Sequence, residues 1–266
     1  MKVYFSVDIE GVTGLTHWDE ATQSHADYPQ FQRQMTAEVV AACQGALAAG
    51  ADEIWIKDAH ATGRNILAGE LPPEARLIRG WSGSPMSMVQ ELDDSFDAIG
   101  FIGYHSAAAS GGNPLAHTMS SSKIAEMRLN GDRMSEFMLH GYAARLHGVP
   151  TVFLSGDEWI CAHARTLVPA IETVAVKTGV GDSVISLQPD LALSRIREGV
   201  KHALSGHLQD CLFPARDRYR IEIRFTTATR AYRASFYPGA IPVDDVTLGF
   251  EHTDYFEILR FVHFVL

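Results

Sequence analysis

The chain has 266 residues, 46% hydrophobic and 20% charged, which suits one large globular domain or two modest ones. Its net charge of -10, from 22 basic and 32 acidic residues, argues against nucleic acid or an anionic membrane surface as a partner. Cys43, Cys161 and Cys211 lie far apart with no C-x-x-C, no apolar run reaches membrane-spanning length and the first residues lack a signal-peptide pattern, so a reducing cytoplasm is expected.

In chain order, "VYFSVDIEG" from Val3 reads as a buried strand that ends on two carboxylates, Asp8 and Glu10. Residues two apart in an extended chain share a side, so these acids converge on one spot. Two anions held that close repel unless a cation or a proton lies between them. Gly11 then permits a sharp exit. "FQRQMTAEVVAACQGALAAG" is predicted as a helix stopping at Gly50, and "EIWIKDAH" (Glu53 to His60) as a second strand. Ser84 and Pro85 are predicted to open a helix over "SPMSMVQELDD". "DAIGFIGYH" (Asp97 to His105) is a third strand, followed by the Gly-rich "SAAASGGNPLAHTMSS", which reads as an active-site loop. "KIAEMRLNGDRMSE" reads as a β-hairpin turning at Asn130-Gly131. Ser135 is expected to cap the helix "EFMLHGYAARLHG", with Glu136 in its first turn. "VPTVFLSGDE" is a fourth strand, "DEWICAHARTLVP" a helix and "IETVAVK" a further strand. A helix near Pro189, the alternating strand "YRIEIRFTT" and at least one more element complete the chain.

Strands alternating with helices predict an α/β fold: a mainly parallel sheet with flanking helices over 1–188, plus a smaller α+β region over 189–266. The loop and hairpin of 106–135 form an insertion in the first part. Ligands bind such sheets beyond the carboxyl ends of the strands, where Asp8, Glu10, His60, His105 and Asp157 are expected to gather. Of the 12 histidines, His140, His147, His163, His202 and His207 fall on predicted helices and read as packing or surface residues. Two carboxylates and two imidazoles at one sheet end are a donor set for zinc or a similar divalent ion. Glu136 adds a third carboxylate, which suits a pair of ions, because a bridging carboxylate neutralises both. No G-x-S-x-G, H-E-x-x-H, Walker A or G-x-G-x-x-G occurs.

"SVDIEGVTG", "KDAH", "FIGYHS", "LAHTMS" and "NGDRMSE", in that order, resemble the signature segments of the zinc D-aminopeptidase family typified by the dipeptide-transport D-aminopeptidase of bacilli. The resemblance runs from Met1 to about Pro189, through "VPTVFLSGDE" and "VAVK", and weakens beyond. It implies two zinc ions per chain held by Asp8, Glu10, His60, His105 and Glu136, and a catalytic histidine at His117. It also implies short peptide substrates with an N-terminal D-residue, of D-alanyl type, and a homodecamer of two stacked five-membered rings. The residues by themselves point to the five ligands; His117 rests on the resemblance alone, since a histidine in a Gly-rich loop otherwise reads as a surface residue.

The expected reaction is peptide hydrolysis, with Asp8 bridging the ions and His117 outside the ligand set as acid/base or oxyanion stabiliser. Two alternatives use the same residues. "DIEGV" also resembles the D-x-D-x-[TV] opening of haloacid dehalogenase-type phosphatases, with Asp8 as nucleophile, although the second acid is Glu and no acid stands at Cys161 or Ala162. A non-catalytic metal- or peptide-binding homologue is the other.

Overall fold

The structure is a computed structural model that describes all residues, 1–266. The chain runs β1 (Lys2–Val7), α1 (Trp18–Ala21), α2 (Tyr28–Ala48), β2 (Glu53–Asp58), β3 (Ala75–Ile78), β4 (Ala98–Tyr104), β5 (Ile124–Leu129) and β6 (Asp132–Arg133). It continues through α3 (Glu136–Leu146), β7 (Thr151–Asp157), α4 (Glu158–Leu167), β8 (Glu172–Val180), β9 (Ser183–Ser186) and α5 (Pro189–Ser205). β10 (Tyr219–Phe225), α6 (Ala228–Ala234), β11 (Ile241–Pro242), β12 (Thr247–His252) and α7 (Tyr255–Val265) complete it.

A sheet of order β3-β2-β1-β4-β7-β8-β9 forms the larger layer. Its neighbours pair in parallel except β8 and β9, which are antiparallel. β4 and β7 are buried along their whole length and β1 along nearly all of it, as strands covered on both faces must be. From β1 the chain moves outward to β2 and β3, then crosses back to β4, β7 and β8 on the other side. Right-handed crossovers in opposite directions put their helices on opposite faces. Accordingly α2 and α5 pack together against one face, and α3 and α4 form the other layer. The reversal falls between β1 and β4, which makes the carboxyl ends of those two strands the switch point where a crevice opens.

The loops leaving β1 and β4 meet backbone to backbone. Gly11 N–H donates to Gly103 O at 2.8 Å, and a Cβ at Gly11 would stand 1.8 Å from Tyr104 O. Gly103 has φ +69, and its Cβ position is 2.3 Å from Asp8 O. Only glycine admits this approach, so the spacing of Asp8 from His105 is set by backbone contact.

The second sheet is antiparallel, in the order β11-β12-β10-β5-β6. The hairpin turns at Asn130-Gly131 as expected, with φ 52 and 89. It pairs with β10, while α7 packs on α3, β10 and β12. α5 lies against α2, β7 and β8 of the parallel sheet.

The helix expected from Ser84 is absent; that segment holds only a 3-10 turn, Ser87–Val89. Ser87 and Glu91 take positive φ, 46 and 66, which no helix tolerates. The carbonyls a helix would use are taken by β1 instead: Ser6 Oγ–H donates to Met88 O and Tyr4 O–H to Gln90 O, both at 2.7 Å. Strands β3 and β9, short and partly exposed, add edges the sequence pattern did not signal.

Replacing Gly11 with alanine should cost at least the ~1–3 kcal/mol typical of overpacking, since the clash is with backbone. Gly69→Ala, where nothing lies within 4 Å, should be near neutral. Urea unfolding of both variants checks this; equal midpoints would contradict it.

Candidate metal centre

The five candidate ligands enter from four elements. Asp8 and Glu10 follow β1, His60 follows β2 and His105 follows β4. Glu136 opens α3, where Ser135 Oγ accepts from Met138 N–H at 3.1 Å as the expected cap. All five are buried. His117 arrives from the long loop after β4, its side chain 12% exposed. The loop is stitched by Thr118, whose Oγ accepts from Ala108 N–H and donates to Met134 O.

These six residues form two adjoining donor groups, Asp8/Glu10/His60 and His105/His117/Glu136. His60 Nδ1 lies 3.0 Å from Glu10 Oε2 and 3.4 Å from Asp8 Oδ1. His105 Nε2 lies 3.4 Å from both Asp8 Oδ2 and Glu136 Oε2, and His117 Nε2 lies 3.6 Å from Glu136 Oε1. Asp8 thus turns one oxygen to each group. His117 was expected outside the ligand set; it stacks on His105 at 4.4 Å and 8°, directly against that set.

The far nitrogen of each ring is tied to a backbone carbonyl: His60 Nε2 to Ala21 O, His105 Nδ1 to Ser106 O and His117 Nδ1 to Leu115 O, at 2.8–2.9 Å. A carbonyl only accepts, so each of those nitrogens carries the proton, and in the neutral ring the nitrogen facing the carboxylates carries a lone pair. Lone pairs then oppose carboxylate oxygens at short range. A second proton on His60 and His105 is one relief: although burial resists charge, Glu10 pulls His60 well above the usual imidazole range and Glu136 does the same to His105. Burial and the Glu10 charge push Asp8 up to about 6. A proton serves poorly, because His105 Nε2 and Glu10 Oε2 are buried without a hydrogen-bond partner in line. A divalent cation between the groups faces lone pairs from every side, so the donor set fits zinc.

Other buried groups hold this centre. Asp58 accepts from Asn65 N–H, Asn65 Nδ2–H and Ile66 N–H, fixing the turn that carries His60. Asp157 does not join the cluster; it caps α4 through Ile160 N–H and binds Ser106 and Asn113. Lys177 Nζ and Asn113 Nδ2 both donate to Glu10 O, at 2.6 and 3.0 Å. The sequence reading did not single out Asn113 or Lys177, whose neighbours are more than a hundred residues away. A cleft of about 390 Å³ opens over the centre, walled by Trp18, Trp81, Met88 and Met119. None of these four carried a sequence signal of its own.

Residues 1–264 match the model of a peptidase family described as D-aminopeptidase. The chain belongs to the D-aminopeptidase family. It is 31% identical over 262 residues to the D-aminopeptidase of Bacillus subtilis (strain 168), covering 97% of this chain and 93% of that protein. Its fold is similar to the solved structure of the Zn-dependent D-aminopeptidase DppA from Bacillus subtilis, a self-compartmentalizing protease. There the TM-score is 0.92 at 29% identity, with 100% of this chain and 96% of that one covered. Family membership therefore extends past Pro189, where the sequence resemblance weakened, and it displaces the haloacid dehalogenase comparison.

Zinc added to metal-stripped protein should raise its melting temperature, with about 4 kcal/mol of stability from each occupied site at a thousandfold excess over its Kd. Calorimetry of wild type and Asp8→Ala checks this: the variant should lose most of the gain, and an unchanged wild-type melting curve would contradict the donor assignment.

Proposed function

We propose that this chain is a dinuclear-zinc aminopeptidase acting on short peptides with an N-terminal D-residue, D-alanyl peptides among them. The observation that carries the reading is the facing of three imidazole nitrogens onto three buried carboxylates at the switch point of the sheet, in a member of the D-aminopeptidase family. Asp8, Glu10 and His60 would hold one ion, and His105 and Glu136 the other, with His117, the third member of that second group, kept for proton transfer. The two oxygens of Asp8, turned to different histidines, suit a bridging role.

Bound divalent ions supply a water acidic enough to ionise near neutral pH and an electrophile for the scissile carbonyl. The chain supplies the rest. His117, with its Nδ1 proton held by Leu115 O, offers Nε2 to take up and return a proton in the cleft. Stacking on His105 and the edge contact with Trp18 at 5.2 Å fix its ring plane. Trp18, Met88 and Met119 present apolar surface around the reacting groups. The cleft volume is within the range of small-molecule sites, which fits a short peptide.

The self-compartmentalizing character of the similar Bacillus subtilis protease supports a ring-shaped homo-oligomer, a decamer by the expectation above. The three cysteines are free and buried, which fits a reducing cytoplasm, and no helix is long and apolar enough to cross a membrane.

Elemental analysis of zinc-loaded protein should approach two equivalents per chain. His117→Ala should keep both equivalents while kcat on D-alanyl dipeptides falls on the order of a hundredfold to ten-thousandfold. Full activity would make His117 a bystander; loss of an ion would make it a ligand. Metal binding without turnover of any D- or L-aminoacyl dipeptide would favour a non-catalytic homologue. Light scattering should give about ten times the 29.2 kDa chain mass, and a monomer at micromolar concentration would contradict the ring.

A further inference from the structure

Trp81 is 42% exposed although it is among the largest apolar side chains in the protein, and it lines the cleft over the metal centre. Its exposure is not looseness. Its indole N–H donates to Ala61 O at 2.8 Å, next to His60. Gly80 N–H before it donates to Gly63 O at 2.7 Å. Beneath the ring, 3.8 Å from the centroid, sits the ammonium of Lys57, itself fully buried and donating to Asp58 O and Gly80 O. Burial lowers Lys57 only to about 8, so the ammonium keeps its charge at neutral pH. The indole is anchored at its edge and on one face, and it lines the cleft with surface that stays exposed.

We propose that the free face of Trp81, backed by the Lys57 ammonium, is a stacking surface that selects peptides with a bulky apolar or aromatic side chain beside the scissile bond. A ring face opposite a bound cation has its π density drawn toward that cation and offers little to a second one. Lysine and arginine side chains are therefore disfavoured despite the acidic composition of the cleft. An aromatic or branched aliphatic side chain gains burial and, for an aromatic, an offset or edge contact. The ring is already ordered before binding, so little further conformational freedom is lost.

This inference rests on the aminopeptidase reading, and its test separates the two. The zinc-loaded protein is assayed on D-Ala-, D-Leu-, D-Phe- and D-Lys-containing dipeptides, each varied at either position. The expected kcat/KM ratio of the best phenylalanyl to alanyl substrate is about threefold to tenfold, with lysyl substrates lowest. Trp81→Ala should bring that ratio toward one through KM, and Trp81→Phe should keep it above one. A ratio unmoved by Trp81→Ala, or a preference for lysyl substrates, overturns the proposal. If no dipeptide is turned over, the activity reading fails by itself; calorimetric titration of the same dipeptides into wild type and Trp81→Ala then decides, with equal affinities for the phenylalanyl peptide overturning it.

Discussion

Three imidazoles, those of His60 and His105 buried and that of His117 nearly so, turn a ring nitrogen toward carboxylate oxygens, and that opposition is the constraint on which the rest of this structure rests. With the rings neutral it is repulsive, and burial removes the water that would screen it. Protonating the rings gives partial relief, since His105 Nε2 lies equally far from Asp8 and Glu136 and is in line with neither. A cation between the groups relieves every pair at once. A protein that keeps such a cluster buried without one forgoes stability, and here a second layer of hydrogen bonds holds the cluster in its repulsive arrangement.

That layer explains several features that otherwise look unrelated. Asp58 and Asp157 are buried acids at strand ends, yet both are consumed by N–H and O–H donors and serve to hold the neighbouring His60 and Ser106 turns. Lys177 places its buried ammonium on Glu10 O and Leu15 O, so it clamps the loop carrying Asp8 and Glu10 without touching either carboxylate. Non-glycine residues with positive φ gather at the cleft: Ala61, Ser87 and Met119 all line it. Strain of this kind persists where surrounding contacts over-determine the backbone. At Met119 the return is visible, since its N–H donates to Glu136.

That the four candidate ligands just past β1, β2 and β4 would cluster was legible because two simple rules point to it. The end of β1 delivers Asp8 and Glu10 together, through a turn rather than the extended alternation expected, and parallel topology brings His60 and His105 to the same sheet end. Glu136 was legible through the Ser135 cap. His117 had no such signal, because the shape of its loop depends on Thr118 reaching Ala108 and Met134. The segment after Ser84 misled for a related reason: its composition favours a helix, but Tyr4 and Ser6 compete for its carbonyls. The Lys57–Trp81 contact joins β2 to the loop after β3, a strand too short and too exposed to announce itself. Local pattern thus locates the donors, while the walls of the cleft are set by contacts between distant segments.

The most direct measurement is anomalous diffraction at the zinc edge from zinc-loaded crystals. The account predicts two peaks per chain flanking Asp8, one among Glu10 and His60 and one among His105 and Glu136, both absent from Asp8→Ala crystals. A single peak, or peaks away from Asp8, would contradict the central claim that opposed lone pairs at the switch point exist to hold a pair of cations.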